Sequence, residues 1–288
     1  MKGIKKAKQD PMILMKNAVL SFFVNLILII FSISCIFPLI WMIYSSFKTT
    51  REFARDFIGL PKGIDLENYI YVIKGSGAIK AILNSTRVTV VSIILIVAMG
   101  FVLGYIFARF RFKGSKILYS SFLIGLLVPI HSLLVPIYII FSKTGLNDKW
   151  FTLVIPYVAF GIPIAMFLVE SSIKAIPIAL EEAAAIDGSS FSRTLFQIIL
   201  PITKPILATI AIIQTFACWN EFSFALVLIN TPKLRTVPVE ITLFTGQFTS
   251  NYPRMFAAML ICMLPIVTLY FLFSKQIMQG MVAGAVKG

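Results

Sequence analysis

Six times along this chain, apolar residues run nearly unbroken for about twenty positions. The stretches are Ala18–Trp41, Ser85–Phe107, Ile117–Phe141, Phe151–Val169, Ile206–Ile229 and Phe256–Phe273. A helix needs roughly 20 such residues to cross a hydrocarbon layer about 30 Å thick. Backbone groups in lipid must be satisfied within the segment, so these runs predict six transmembrane helices in an all-α membrane protein. The chain divides into an amino-terminal tail (1–17), a first span (18–44), a loop (45–84), a core (85–275) and a carboxyl-terminal tail (276–288). The first run is too long for a signal-peptide core and no small-x-small site follows Trp41, so it predicts an uncleaved span. Pro129, Pro136, Pro156, Gly161, Pro163 and Pro265 interrupt the spans. They predict bent, packed helices, whether around a pathway or in an ordinary bundle.

One long segment between spans, 171–205, follows a different pattern. Pro177 suits the first turn of a helix, Leu180 to Ala185 are strong helix formers, and Gly188 can end that helix in a left-handed conformation. Ser189 or Ser190 can cap a second helix, whose apolar stripe is Phe191, Leu195, Ile198 and Ile199. Pro201 and Pro205 are expected to end it before the fifth span. The result is a short helix, a turn and a second helix outside the bilayer, with Glu181, Glu182, Asp187 and Arg193 on a polar surface. Its apolar face must be covered by the membrane interface, a neighbouring span or a protein partner.

Composition supports the membrane reading. Of 288 residues, 58% are hydrophobic and only 13% charged, with mean hydropathy +0.92; soluble domains have about 25% charged residues. The net charge of +14 lies in short clusters between apolar runs, as juxtamembrane charge does, and not in a basic stripe interleaved with stacking aromatics, which argues against a nucleic-acid partner. Lys2, Lys5, Lys6, Lys8 and Lys16 precede the first span, and Arg109, Arg111, Lys113 and Lys116 crowd the loop after the second. Both segments are therefore expected in the cytoplasm, together with 171–205 and the carboxyl terminus. The first external loop has six basic residues as well, diluted over about 40 positions. Cys35, Cys218 and Cys262 lie inside apolar runs at spacings that fit neither a disulfide framework nor a metal site, and are read as small buried side chains. His131 is read as a packed neutral histidine rather than a proton relay.

Glu182-Ala183-Ala184, then Gly188, Ile198 and Leu200-Pro201 at spacings of three, nine and one residues, resembles the EAA motif of permease subunits in binding-protein-dependent ABC importers. Ser46-Phe47-Lys48 and Leu66-Glu67-Asn68-Tyr69 are similar to the first external loop of carbohydrate-importer permeases. Ala108 to Gly114 resembles their second-to-third-span loop, and Trp219-Asn220-Glu221-Phe222 their fifth-span motif. The ending Ala283 to Gly288 resembles the maltose-importer type of second inner-membrane subunit. The likeness covers nearly the whole chain. It implies a type I ABC importer transmembrane domain, in which the motif forms a cytoplasmic coupling helix seated in a cleft of the ATPase. Glu181, Glu182, Ala183, Ala184, Asp187, Gly188, Ile198, Leu200 and Pro201 would then make the coupling contact.

The resemblance further implies a second, non-identical permease, an ATPase dimer holding ATP and Mg, and an external solute-binding protein that delivers a sugar. No G-x-x-x-x-G-K-[ST] run is present to cradle nucleotide, in keeping with a non-catalytic subunit that carries no cofactor itself. For the sugar path the candidates are Gln214, Trp219, Asn220 and Glu221. An unpaired carboxylate in mid-bilayer costs roughly 2.5–3.5 kcal/mol, so Glu221 is expected to face the bundle interior. These side chains bind sugar or only join helices by hydrogen bonds, and the sequence leaves both readings open. An importer for another solute is also open. An ion-coupled secondary transporter would need ionisable residues in several spans and leaves the motif unexplained.

Overall fold

The structure is a computed structural model that describes residues 11–244 and 251–285, with side chains over 20–244 and 251–273. The basic positions Lys2 to Lys8 and the terminal Val286 to Gly288 lie outside the described residues. Every element among those described is helical. Helix α1 (Pro11–Ser45) has 35 residues, about 52 Å at 1.5 Å per residue, which exceeds the bilayer core. Its side chains from Leu20 onward are apolar on all sides and exposed until Trp41 meets α13. A helix apolar all round requires a lipid or protein neighbour on every face.

Two short helices, α2 (Thr50–Arg55) and α3 (Glu67–Lys74), fold the following loop into a cap. Here the two loop motifs meet. The Asn68 amide donates to the carbonyls of Ser46 and Lys48, both at 2.9 Å, and the Ser46 and Tyr69 hydroxyls share a 2.6 Å hydrogen bond. Lys48 is fully buried, donates to the Asp56 carbonyl at 2.7 Å and lies over the rings of Tyr44 and Phe53.

Helix α4 (Ala78–Arg109) packs along α7 (Val154–Lys174) in the most extensive helix contact of the fold. Glycines allow it. A Cβ at Gly100 would lie 2.6 Å from the Ala165 Cβ, and one at Gly104 2.6 Å from Val169 Cγ1. Two glycines four apart let backbones approach closely where no hydrophobic effect drives helices together. Between α4 and α7 lie α5 (Ser115–Leu127), a 3-10 turn (Ile130–Leu133) and α6 (Leu134–Thr144).

The third apolar run is thus not one straight span. Its two halves are bent by 95°, because Pro129 requires the preceding Val128 to be extended, with φ −75° and ψ 122°. Among the described residues, five helices are long and apolar enough to cross a membrane, and the bent pair makes a sixth if it counts as one span. His131 sits in the bend and is exposed, not packed, because the turn carries it out of both helices. Cys218 and Cys262 are buried as expected, whereas Cys35 is exposed on the apolar surface of α1.

After α7 come α8 (Ala179–Ile186), α9 (Phe191–Arg193), a π turn (Thr194–Ile199) and α10 (Leu200–Trp219). Pro201 and Pro205 do not end the second helix of the 171–205 segment, which runs from Phe191 to Trp219 without interruption. The π turn lets the Leu200 amide reach back five residues to the Leu195 carbonyl. Pro201 then occupies the first turn of α10, where its missing N–H costs little. Beyond α10, the chain breaks at 220–222 and continues as α11 (Ser223–Leu228), α12 (Val237–Thr242) and α13 (Tyr252–Ala285), with a 3-10 turn at Pro232–Leu234. The last helix continues through positions assigned above to the tail.

Candidate functional site

The segment 171–205 lies where α4, α7 and α10 end together. Helix α8 begins two residues after Pro177, with Glu181 and Glu182 in its first turn, where the positive end of the helix dipole favours carboxylates. It ends in a Schellman motif. The Ser189 amide donates to the Ala184 carbonyl at 2.9 Å and the Gly188 amide to that of Ala185 at 3.1 Å. Gly188 has φ +77°, and a Cβ there would meet nothing within 4 Å, so the demand for glycine is conformational, not steric. The Ser190 hydroxyl then accepts from the Arg193 amide at 3.4 Å and starts the next helix.

The two faces of α8 differ. Ala184 points inward and is buried, while Glu182, Ala183, Ile186 and Asp187 point away, Ile186 being 86% exposed. Glu181 also turns inward, to a clamp at the end of α4. Arg109 Nε donates to Glu181 Oε1 at 2.5 Å, and the Tyr105 hydroxyl to Oε2 at 2.7 Å. Arg109 Nη2 reaches the Ile176 carbonyl at 2.9 Å, so one guanidinium holds both the entry to α8 and its first turn. A planar fork with several donors suits this double task.

Part of the predicted stripe is covered by the chain itself. Leu195 and Ile199 are buried in a cluster with Ile96, Val169 and Ile210, and Ile198 is half-buried. Phe191 remains 56% exposed, its ring near those of Tyr105 and Phe110. Leu200 is half-buried and Pro201 exposed. Beside the clamp, the carboxylate of Glu170 is buried in α7 and ion-paired with Lys174, with the Tyr119 hydroxyl 3.5 Å away. This carboxylate falls one residue beyond the apolar run ending at Val169; the Glu–Lys spacing of four was its only signal.

The second candidate group lies far along α10. Gln214 is buried near Gly161 of α7, and Trp219 is buried among Val72, Ala78 and Ala257. Asn220 is exposed at the break. Glu221 is not inside a continuous helix but at the start of the next one. Its carboxylate accepts from the amides of Phe224 at 2.7 Å and Ala225 at 3.1 Å and from the Tyr157 hydroxyl at 2.7 Å. The helical pattern hid the break because Trp219 to Leu228 contains neither proline nor glycine.

A "Putative ABC transporter permease protein ORF2" of Caldicellulosiruptor sp. is 36% identical over 252 residues, covering 87% of this chain and 91% of that protein. The "Multiple sugar-binding transport system permease protein MsmG" of Streptococcus mutans is 34% identical over 270 residues, covering 92% and 97%. Among solved structures, a bacterial ABC transporter involved in the import of the acidic polysaccharide alginate aligns with TM-score 0.77 at 20% identity, over 96% of this chain and 99% of that one. Residues 100–282 match the family described as "Binding-protein-dependent transport system inner membrane component". Matched over more than half its length by that family and by relatives 34–36% identical across most of the chain, the chain belongs to that family of ABC importer permeases.

Proposed function

We propose that this chain forms half of the translocation pathway of an ATP-driven importer for a sugar or oligosaccharide, and that α8 is where a separate ATPase pushes. The observation that carries this reading is the division of α8: Glu181 bolted to α4, and Glu182, Ala183, Ile186 and Asp187 left outward with no side-chain partner among the described residues. An exposed apolar and acidic surface on a short helix is suited to a protein cleft. Gly188 sets the turn, and Ile198, Leu200 and Pro201 carry the push into α10. ATP and Mg belong to the ATPase dimer; this subunit transmits the movement and has no catalytic group of its own.

A second permease completes the pathway, and an extracytoplasmic binding protein delivers the solute, as the family's description suggests. The reading of sugar as cargo is supported by relatives such as the multiple-sugar permease. Asn220, exposed at the break, is the residue we assign to the sugar path, with Gln214, Trp219 and Glu221 supporting the walls. The protein sits in the cytoplasmic membrane with both termini inside. The contact of Arg109 with Glu181 supports this, since it joins the densest basic loop to the coupling side.

The test uses the purified complex and Gly188→Val. A left-handed β-branched residue is strained by about 1–2 kcal/mol, so ATPase docking and sugar uptake should fall roughly five- to thirtyfold with insertion unchanged. Wild-type uptake in this variant, or a solitary chain that transports without ATP, refutes the proposal.

A further inference from the structure

A cavity of about 770 Å³ opens beside the coupling loop, between the 110–114 turn, the start of α5 and the end of α7. Its volume lies within the range of about 300–1,000 Å³ usual for ligand sites. Four cationic side chains line it, Arg109, Arg111, Lys116 and Lys174, against the single carboxylate of Glu170. Two are already engaged: Arg109 by Glu181, and Lys174 by Glu170. Among the described residues, Arg111 and Lys116 have no acidic partner. Helix α5 also opens onto the cavity, and no side chain caps its first amides. An anion entering here meets two unpaired cations and the positive end of a helix.

The remaining wall narrows the choice of anion. Phe112 is 44% and Ile117 77% exposed where they line it, and exposed apolar residues continue along α5 through Ile124 and Leu127. A free phosphate would leave that apolar surface uncovered, whereas an amphiphile covers both parts at once. The position, at the end of spans and beside the densest basic loop, is where anionic headgroups gather. From this combination we infer that the cavity is a binding site for the headgroup of an anionic phospholipid. Arg111 and Lys116 hold the phosphate, and the first acyl carbons lie against Phe112 and Ile117. The site shares α4 and α7 with the coupling loop but uses none of its outward-facing residues.

The test takes the full importer complex in neutral detergent, titrated with phosphatidylglycerol, phosphatidylcholine or inorganic phosphate, and counts bound lipid by native mass spectrometry. The wild-type complex should retain phosphatidylglycerol in preference to phosphatidylcholine. Each lost juxtamembrane cation weakens binding severalfold, so Arg111→Gln with Lys116→Gln should lower phosphatidylglycerol affinity about thirtyfold, and Arg111→Lys with Lys116→Arg should restore most of it. Equal retention by the Gln variant overturns the assignment. So does displacement of the lipid by inorganic phosphate at millimolar concentration, which would mark a site for the free anion. Gel filtration of the Gln complex separates lost binding from lost assembly; should it fail to assemble, the Lys/Arg exchange against Ile117→Asp decides, with unchanged retention in the latter again overturning the inference.

Discussion

The clamp between Arg109 and Glu181 fixes α8 to the end of α4, so on the proposed coupling role breaking it should uncouple the subunit without unfolding it. The perturbation is Arg109→Met, which keeps the aliphatic stem and removes the guanidinium. Two charge-assisted hydrogen bonds disappear, to Glu181 and to the Ile176 carbonyl, and Glu181 keeps only Tyr105. The side chains of Arg109 and Glu181 are 10% and 14% exposed, so water replaces the lost partners poorly. Orphaning one member of a buried pair costs about 3–5 kcal/mol, and a hydrogen bond to a charged group contributes about 1.5–3. With the residual exposure and the surviving Tyr105 contact, the docking of α8 should weaken by about 2–4 kcal/mol. Amide exchange over 181–186 in the reconstituted complex reads this directly, and its protection should fall roughly 30- to 1000-fold. Uptake per ATP hydrolysed should drop in parallel, while α4 and α7 keep their protection. Glu181→Gln should show a smaller loss, and the double variant less than the sum, since the two residues share one interaction. Unchanged protection of α8 in an assembled Arg109→Met complex would refute the reasoning.

Two more outcomes follow from the same geometry. Glu221→Gln keeps one acceptor oxygen and sets an amide NH2 against at least one of the three donors, breaking that hydrogen bond and removing charge from the rest, so thermal stability should decrease by roughly 1–3 kcal/mol with sugar affinity unchanged; altered affinity at wild-type stability would instead put Glu221 on the path. Asp148, in the turn after α6, has φ +56° and accepts from the Thr231 amide and hydroxyl and the Asn230 amide. Partial burial opposes its ionisation, but the hydrogen bonds from Thr231 and Asn230 prevail and hold its carboxyl below the usual 3.8. A lowered folded pKa gives stability that is complete above the unfolded value and vanishes as pH falls through the folded one. Melting of wild type and Asp148→Asn should therefore differ at pH 6, still differ near 3.8, and converge only as pH falls further, through the lowered folded value; a gap independent of pH counts against this role.

What the sequence made legible, and what it hid, divides by the range of the interaction. The turn at Gly188 and the cap at Ser190 are local: a left-handed position and a hydroxyl three residues before an amide, each readable from neighbours alone. The spans were legible for the same reason, since hydropathy is a property of the segment. Helix breaks were legible only in part, since the bend expected at Pro129 is there but the stop expected at Pro201 and Pro205 is not. Pro129 bends its run through 95°, while Pro201 and Pro205 pass through a continuous helix because a π turn before them relieves the ladder. The same residue type does both, and what differs is the packing around it. Residues far apart in the chain were hidden altogether. Arg109 reads locally as loop charge and Glu181 as a surface carboxylate, and only the approach of α4 to α7, allowed by Gly100 and Gly104, carries the guanidinium across 72 positions to the coupling helix. That approach also decides which acidic residue is free to act. With Glu181 spent on its own scaffold, Glu182 is the carboxylate on the first turn of α8 that still faces outward. On the proposed coupling role, the motif and the clamp are two halves of one device, a fixed inner face that would let the outer face be pushed without giving way.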